Sequence, residues 1–364
     1  MFVRLLWIVL ALLSMTSVQA CPSCMQLQMS LSEEFEYAAA IAVAQPLQPG
    51  GTRYRIVRVL RGKLEPGRVV VAAASSFSKP VFLTTMQSEG SPIWSGKPIS
   101  AESERVIAFA EEVVQLPARK PGTTSHPKRL EFFCRYLGDR EKAIADSAYA
   151  ELGAAPYKEL QSYSRQIGQA RLRSWLQAPG TPDEYRSLYY TMLSQVPGPT
   201  EAAWLKQKAV ASSRQSPVGS LPALLFAYAQ VAGEPALDII RRDYLAGDLT
   251  QRMMAVQSLR ILVTENPRLK KAVLPLLHSQ LKDVRLAGGL IRDLAVWQDW
   301  SCAQQIYEIM MDKKTYSYVK LSALRYLVGC PQSEIQEKLK ILKSHPPDWS
   351  PTWPTPFSAK EIPQ

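Results

Sequence analysis

Short runs of alternating apolar and polar residues dominate the segment between residues 37 and 112. Alternation with a period of two places every second side chain on one face of a strand, and Gly and Pro residues bound these runs. We therefore predict five strands: Tyr37–Gln45, Arg53–Arg61, Arg68–Ala74, Pro80–Met86 and Arg105–Glu111. Five strands within about 75 residues indicate a small β barrel or a sandwich.

The second predicted strand contains a change of parity. Tyr54 and Ile56 occupy one set of alternate positions, whereas Val57 and Val59 occupy the other. A regular strand would place these two pairs on opposite faces, so the pattern predicts a β-bulge or a strand that is buried on both faces. The connector Arg61–Gly67 contains Gly and Pro residues, which favours a hairpin between the second and third strands.

Beyond residue 130 the apolar residues recur with helical spacing. Asp139, Asp248 and Asp283 stand where an N-cap carboxylate would begin a helix. Predicted helix starts at Asp248, Asp283 and Ser317 recur about every 35 residues, which is typical of helical-pair repeats. Three buried helix faces are predicted from the spacing i, i+3, i+4 and i+7: Ala145, Ala148, Tyr149 and Leu152; Ala255, Ser258, Leu259 and Leu262; Ala287, Leu290, Ile291 and Leu294.

The segment Lys282–Leu290 resembles the first helix of a HEAT-type repeat, in which an Asp, a Val-Arg pair and a small residue precede leucines. Ser317–Lys320 and Asp248–Arg252 are weaker copies of this pattern. The resemblance covers residues 131–343 and implies an armadillo-like α–α superhelix of about six HEAT-like pairs. The predicted fold class is therefore an α+β multidomain protein, with a small β barrel followed by this superhelix.

Two further resemblances concern the first part of the chain. The β segment resembles the OB-type barrel of netrin-like and metalloprotease-inhibitor domains, which also begin at a processed cysteine. The inhibitors place their terminal amine on zinc through Cys-x-Cys, whereas this chain has Cys21-Pro22-Ser23-Cys24. The order of leader, Cys-Pro-x-Cys, β segment with Val-Leu-Arg-Gly and helical repeats is similar to uncharacterised secreted proteins of planctomycete-type bacteria.

The first 20 residues have the order of a secretory signal peptide. Arg4 is followed by the apolar run Leu5–Met15, and small residues precede Cys21. The run is shorter than the roughly 20 residues that a membrane-spanning helix needs. We predict cleavage after Ala20 and export to the periplasm, the cell envelope or the exterior, where disulfides can form. Lipidation of Cys21 is an alternative, and membrane association is expected only in that case.

The chain of 364 residues is too long for one typical core. The sequence divides into a predicted signal peptide (1–20), a β-barrel-like domain (21–114), a linker (115–130), a helical repeat domain (131–343) that the resemblance makes HEAT-like, and a Pro/aromatic tail (344–364). The prolines of the tail separate Trp349, Trp353 and Phe357. This pattern predicts an extended strap that covers the last repeat or, alternatively, a docking peptide for a partner.

Five cysteines are candidates for redox chemistry or disulfides. Cys21 and Cys24 form a Cys-x-x-Cys pair, which is used in thiol exchange or in a structural bond, with Cys134 as a further partner. Cys302 and Cys330 fall in predicted neighbouring antiparallel helices. A staple between them would contribute about 3 to 4 kcal/mol on the loop-entropy model.

The sequence contains no motif that indicates catalysis. Its three histidines, His126, His278 and His345, do not stand at ligand spacing with one another or with Cys or carboxylate residues. A Gly-x-Ser-x-Gly elbow, a phosphate-binding loop and a dinucleotide fingerprint are also absent from it. We therefore expect neither an enzyme nor a cofactor or metal.

The net charge of +11 favours anionic partners. The basic runs fall near predicted helix ends, where they complement helix dipoles, and this disfavours nucleic acid. We predict a non-catalytic scaffold or binding protein that holds another protein or an anionic envelope polymer. Trp297, Trp300, Trp349 and Trp353 are the candidate partner-binding residues. The alternatives are a redox protein that uses Cys21 and Cys24, or an inhibitor-like protein that binds through the processed terminus.

Overall fold

The computed structural model describes residues 29–72, 76–85, 92–99, 103–118, 126–216, 218–345, 349 and 353–357. The described chain forms two compact units. One contains the described residues up to Ile167 together with Gln177–Leu188, and the other contains Gly168–Leu176 and the described residues from Tyr189 onward. The α+β class is confirmed, since an antiparallel sheet precedes a long series of helices.

The first unit begins with a helix and a sheet. Their bounds are α1 Leu31–Tyr37, β1 Ala40–Pro46, β2 Arg53–Arg61, β3 Val69–Val71, β4 Val81–Thr85 and β5 Trp94–Pro98. The antiparallel order is β3-β2-β1-β4-β5, and the sheet curls into a half-barrel. Ala42, Tyr54 and Leu83 belong to the core on one face. On the other face, the ring of Phe35 in α1 lies edge-on to Phe82 at 5.4 Å between centroids.

Two β-bulges explain the change of parity in β2. The pairing of β1 with β2 shifts twice, so that Val57 and Leu60 oppose no residue of β1. Val57 is 42% exposed, whereas Val59 contacts the same core as Ile56. An extra residue in one strand locally increases its bend and twist. The bulge alternative is therefore confirmed.

Strands β2 and β3 form the predicted hairpin, with Arg53 opposite Val71. The backbone N–H of Gly67 donates to the carbonyl of Ile56 at 2.8 Å, which closes the connector. Gly62 and Gly67 both have positive φ, 92° and 88°, a conformation that favours glycine. The two differ in their surroundings, because a Cβ on Gly62 would lie 2.7 Å from the Cβ of Ala40 and one on Gly67 would meet nothing within 4 Å.

The fifth strand does not lie where the alternation predicts it. Arg105–Glu111 is helical and belongs to α2 (Ser103–Val113), so the prediction of a strand there is wrong. The fifth strand is β5, whose Trp94 belongs to the sheet core. Ile107 and four residues with the spacing of one helix face are buried in α2: Val106, Phe109, Ala110 and Val113.

Helices make up most of the remaining described chain. They are α3 Pro127–Cys134, α4 Lys142–Gly153, α5 Leu160–Ile167, α6 Gln169–Gln177, α7 Asp183–Leu193, α8 Glu201–Ser212, α9 Leu221–Ala232, α10 Glu234–Ile239, α11 Leu249–Glu265, α12 Lys270–Ser279, α13 Val284–Val296, α14 Ala303–Met311, α15 Ser317–Gly329 and α16 Ser333–Ser344. A π-helical segment, Ile240–Leu245, continues α10. The residues of the three predicted helix faces are all buried, which confirms those faces.

Two of the three predicted N-caps are confirmed. Asp248 accepts a hydrogen bond from the backbone of Gln251 and forms a capping box before α11. Asp283 accepts from the backbone of Arg285 at 3.0 Å and begins α13. The prediction for Asp139 is wrong, since α4 starts after Glu141. The Asp139 carboxylate instead pairs with Arg105.

Ion pairs join alternate helices of the second unit, α11 and α13. Nη2 of Arg252 in α11 lies 2.6 Å from Oδ2 of Asp283 at the start of α13. Arg260 of α11 pairs with Asp293 of α13, which is only 2% exposed. Burial raises the pKa of Asp293, and the adjacent Arg260 opposes that shift. Together with the start positions of α11, α13 and α15, these links are compatible with helical repeats.

A buried ion cluster joins three helices of the first unit. Arg129 in α3 is 3% exposed; its guanidinium pairs with Glu151 of α4 and lies 3.1 Å from Glu36 of α1. Nη1 also donates to the carbonyl of Pro117 at 3.1 Å. Burial lowers the pKa of Arg129, but the two carboxylates more than offset this effect and raise it. Removing one partner from such a pair costs about 3 to 5 kcal/mol, because a buried charge is left uncompensated.

The two connector glycines allow a matched test of the hairpin. Gly67→Ala adds only the strain of a positive φ, roughly 1 to 2 kcal/mol. Gly62→Ala adds the same strain and also a clash with Ala40, so we expect it to lower the free energy of unfolding further. Urea denaturation of both variants measures the difference. Equal losses for the two variants would contradict the close approach of Gly62 to β1.

Candidate functional site

The predicted cysteine sites lie in different parts of the chain. Cys21 and Cys24 lie outside the described residues, so the redox and inhibitor alternatives stay predictions. Cys134, Cys302 and Cys330 are buried free thiols. The predicted staple between Cys302 and Cys330 is therefore not formed in the structure. Cys134 ends α3 in the first unit, with its Sγ 3.9 Å from Oε1 of Gln166.

Cys302 and Cys330 approach the same buried phenol from two helices. Cys302 is the N-cap of α14 and Cys330 is the C-cap of α15. Burial, together with the neighbouring Cys302, Asp299 and Cys330, raises the pKa of Tyr326. Its hydroxyl donates to the carbonyl of Asp299 at 2.7 Å. Tyr326 thus lies near both thiols. The separation of Cys302 and Cys330 along the sequence does not by itself establish a bond between them.

Neither of these thiols has the environment of a reactive thiolate. Burial, and then the charge of Asp299, raises the pKa of Cys302 to about 11. Burial likewise raises the pKa of Cys330. Reactive cysteines have a lowered pKa, because cations or a helix N-terminus stabilise the thiolate. Cys302 is itself an N-cap, but its side chain makes no capping hydrogen bond and its pKa is raised. The two thiols are therefore buried packing residues at the ends of α14 and α15.

A polar group lies next to Cys302 but does not form a nucleophile site. Nε2 of His278 lies 2.6 Å from Oδ2 of Asp299, and the hydroxyl of Ser301 donates to Oδ1 of the same carboxylate at 2.7 Å. A serine nucleophile needs its hydroxyl on the general base rather than on the orienting carboxylate. The Ser301 backbone N–H also donates to Asp299, at 3.2 Å. The group therefore orders the turn before α14.

The four predicted partner-binding tryptophans are all half-buried. Trp300 lies against Tyr326, with 4.9 Å between ring centroids, and Trp297 follows α13 and accepts a hydrogen bond from Lys270 through its carbonyl. These contacts make both of them packing residues of the helical part of the second unit. Trp349 and Trp353 belong to the tail and contact Lys320 and Lys343.

A surface of cations supported by indoles lies on α6 and α8, and we call it the α6–α8 cation surface. It consists of Arg171, Arg173 and Lys208 with Trp175 and Trp204. Arg171 lies 4.9 Å from the centroid of Trp175. Arg173 and Lys208 lie 5.0 and 5.7 Å from the ring of Trp204. The flat indoles thus hold the cations in two groups, Arg171 on Trp175 and Arg173 with Lys208 on Trp204.

A buried carboxylate fixes one of these cations. Glu201, at the start of α8, is fully buried, and its Oε1 accepts from Nη1 of Arg173 at 3.0 Å. The side-chain amide of Gln169 donates to the same oxygen. Its Oε2 has no hydrogen-bond partner among the described residues. Arg173 is therefore held in place on Trp204 by a group that is inaccessible to solvent.

The basic pair Arg241-Arg242 is neutralised locally. Arg241 pairs with Asp238 at 2.9 Å, and Arg242 pairs with Asp243 at 2.6 Å. In contrast, neither Arg171 nor Lys208 forms an ion pair within the described part of the chain. Sequence reasoning missed this surface. Its available signals were the Arg-x-x-x-Trp and Trp-x-x-x-Lys spacings, which place cation and indole on one helix face.

A second exposed surface lies at the start of α15. Tyr316 and Tyr318 are 54% and 58% exposed, and Leu321 on the next turn is 42% exposed. The two tyrosine rings are parallel, with 5.8 Å between centroids. Exposed aromatic and aliphatic side chains grouped in this way are typical of protein interaction sites.

Metal ligands, membrane-spanning helices and cavities complete the description of candidate sites among the described residues. Among them, no group of three or more His, Cys, Asp or Glu residues is arranged to hold a metal ion. In the same part of the chain, no helix has the length and apolar character needed to cross a membrane. A cavity of about 410 Å³ in the first unit is lined by Lys158, Glu159, Tyr163 and Arg165, among others. Burial raises the pKa of Glu159 there.

Comparison with known proteins adds no relative. No family model matches the chain, and a search of curated proteins gives no match.

The buried thiols generate a reactivity prediction. A pKa of about 11 leaves on the order of one in a thousand Cys302 thiols ionised at pH 8. We therefore expect Cys134, Cys302 and Cys330 to resist iodoacetamide in the native protein and to react after denaturation. Peptide mass spectrometry of both samples measures this. Rapid native labelling of Cys302, or a disulfide to Cys330 in the untreated protein, would contradict the prediction.

Proposed function

We propose that this protein is an exported, non-catalytic binding protein of the cell envelope, which holds an anionic envelope polymer on the surface of its helical repeats. The finer interpretation of the repeats as HEAT-like, and of the curled sheet as OB- or netrin-like, belongs to the same proposal. Export is supported by the signal-like order of residues 1–20 and Cys21.

The α6–α8 cation surface is the observation that carries the proposal. A guanidinium or ammonium group on an indole keeps its charge and gives up little further rotamer freedom when an anion arrives. Arg171 and Lys208 have their charges available, because no described carboxylate pairs with them. The arrangement therefore suits carboxylate, sulfate or phosphate groups that recur along a polymer.

The way in which the indoles are covered favours an acidic polysaccharide over nucleic acid. Single-stranded nucleic acid binds by stacking its bases on exposed aromatic faces. Trp204 is only 7% exposed, and Arg173 and Lys208 lie over its ring. Recognition at this place would depend on charged groups and not on base stacking.

A protein partner is a second candidate, favoured by Tyr316, Tyr318 and Leu321. This surface is apolar and aromatic, unlike the α6–α8 cation surface, and a solenoid can present both. Alanine substitution of both Tyr316 and Tyr318 would weaken the binding of a protein partner. The same substitution would leave the binding of a polymer unchanged. The two candidates are thus separable.

Removal of two cations tests the proposed function. We expect the double substitution Arg171→Ala and Lys208→Ala to weaken binding of polygalacturonate by about 10- to 100-fold, since each contact contributes roughly 0.7 to 1.4 kcal/mol. Added salt should weaken binding by the wild-type chain, because it screens exposed charges. Isothermal titration calorimetry measures both effects.

A matched control loses the same formal charge elsewhere. Lys313 and Lys314 are both exposed, and their double alanine variant should retain binding within about threefold. Equal losses in the two double variants would refute a localised site. Tighter binding of single-stranded DNA than of polygalacturonate would replace the polysaccharide with nucleic acid.

A further inference from the structure

The described tail residues place three aromatic side chains on three cations of α15 and α16. Trp349, Trp353 and Phe357 follow one another at every fourth position. The Nζ of Lys320 lies 5.9 Å from the ring of Trp349, and the Nζ of Lys343 lies 5.8 Å from the ring of Trp353. We call the surface formed by Lys320, Arg325, Gly329 and Lys343 the α15–α16 groove.

Arg325 makes the most specific contacts in this groove. Its guanidinium carbon lies 4.1 Å from the centroid of Phe357. Its Nε donates to the carbonyl of Thr355 at 3.0 Å, and its Nη2 donates to the carbonyl of Pro356 at 3.3 Å. One side chain therefore contacts both an aromatic ring and two successive backbone carbonyls.

A small residue allows the tail to approach α15 closely. A Cβ on Gly329 would lie 3.3 Å from the Cβ of Pro356 and 3.3 Å from the ring of Trp300. A larger residue here would push the proline away from the helix. The groove is therefore shaped to accept a proline beside Arg325.

These contacts match the chemistry of an extended proline-rich segment. Such a segment has no internal hydrogen bonds, so its carbonyls are free to accept from Arg325. It also keeps its residues at fixed spacing, which lets aromatic side chains meet separate cations. Recognition of proline-rich segments commonly uses this preformed, low-entropy conformation.

We propose that the α15–α16 groove is a docking site for an extended segment of a partner protein, in which prolines separate aromatic residues at every fourth position. Trp349 and residues 353–357 are its occupant within the same chain. Three cation–aromatic contacts, made by half-buried rings at the surface, hold this occupant. A partner segment with this pattern and with additional contacts displaces it.

The tethering of the tail favours a partner over a second copy of this chain. A tail joined to α16 has an effective concentration on the order of millimolar. An identical tail on another molecule makes the same contacts without that advantage, so it does not win at micromolar concentration. A partner segment with additional or better contacts does.

A synthetic peptide provides the test. A fluorescein-labelled peptide with the sequence of residues 346–360 is titrated with the full-length chain and with its Trp353→Ala, Phe357→Ala variant, in which the competing tail is weakened. We expect the variant to bind the peptide at least about tenfold more tightly than the wild type. Fluorescence polarisation measures this.

Further variants separate recognition from a general effect. We call the Trp353→Ala, Phe357→Ala chain the opened variant. Adding Arg325→Ala to it should abolish binding of the peptide, whereas adding Arg241→Ala should leave that binding unchanged. Phe357→Ala alone provides a milder opening, and thermal unfolding confirms that each variant folds. The proposal is overturned if the opened variants bind no more tightly than the wild type, or if Arg325→Ala has no effect. Wild-type dimers that dissociate on addition of peptide would identify a second copy as the occupant instead.

Discussion

The helical part of this protein is governed by one constraint: a helix pair cannot bury its own apolar face. Residues such as Leu259 and Leu290 are fully or almost fully buried, and burial of a leucine contributes about 1.5 to 3 kcal/mol. That contribution exists only when a neighbouring helix covers the residue. Arg252 and Arg260 link α11 to α13 through Asp283 and Asp293. The described tail residues lie against α15 and α16, so the same requirement of packing accounts for the position of the tail.

Much of the architecture was readable from local chemistry. Alternation and parity located β2 and its irregularity, and Asp248 and Asp283 marked two helix starts, because a cap acts within a few residues. The prediction failed for Arg105–Glu111, where Val106 and Ile107 are both buried and a short apolar run fits either period. It also missed β5, since a strand with Gly96 and Pro98 carries little apolar alternation and is defined by its pairing with β4.

The candidate site was less accessible to sequence reasoning, because its contacts are tertiary. Arg171 with Trp175 stands at helical spacing on one helix, but Arg173 meets Trp204 only after two helices have been placed side by side. In the sequence, Glu201 is an acidic residue in the first turn of a helix, which is a common position for one. Only its burial in the structure distinguishes it. Likewise, the sequence predicts that Cys302 and Cys330 lie in neighbouring helices, but it does not give the position of Tyr326. The pKa of Tyr326 is raised in part by both of these thiols. Function therefore follows from side-chain placement more than from any motif.

The two bulges of β2 have a consequence for how the length of this strand can change. Val57 and Leu60 are extra residues that oppose no residue of β1. Deletion of either would restore regular pairing locally, so Ile56, Val59 and their neighbours would keep the faces that they now occupy. Deletion elsewhere in a regular strand reverses every side chain beyond it. Evolution or protein engineering can therefore shorten this strand by up to two residues. The sheet would lose curvature, but its core would keep the same residues.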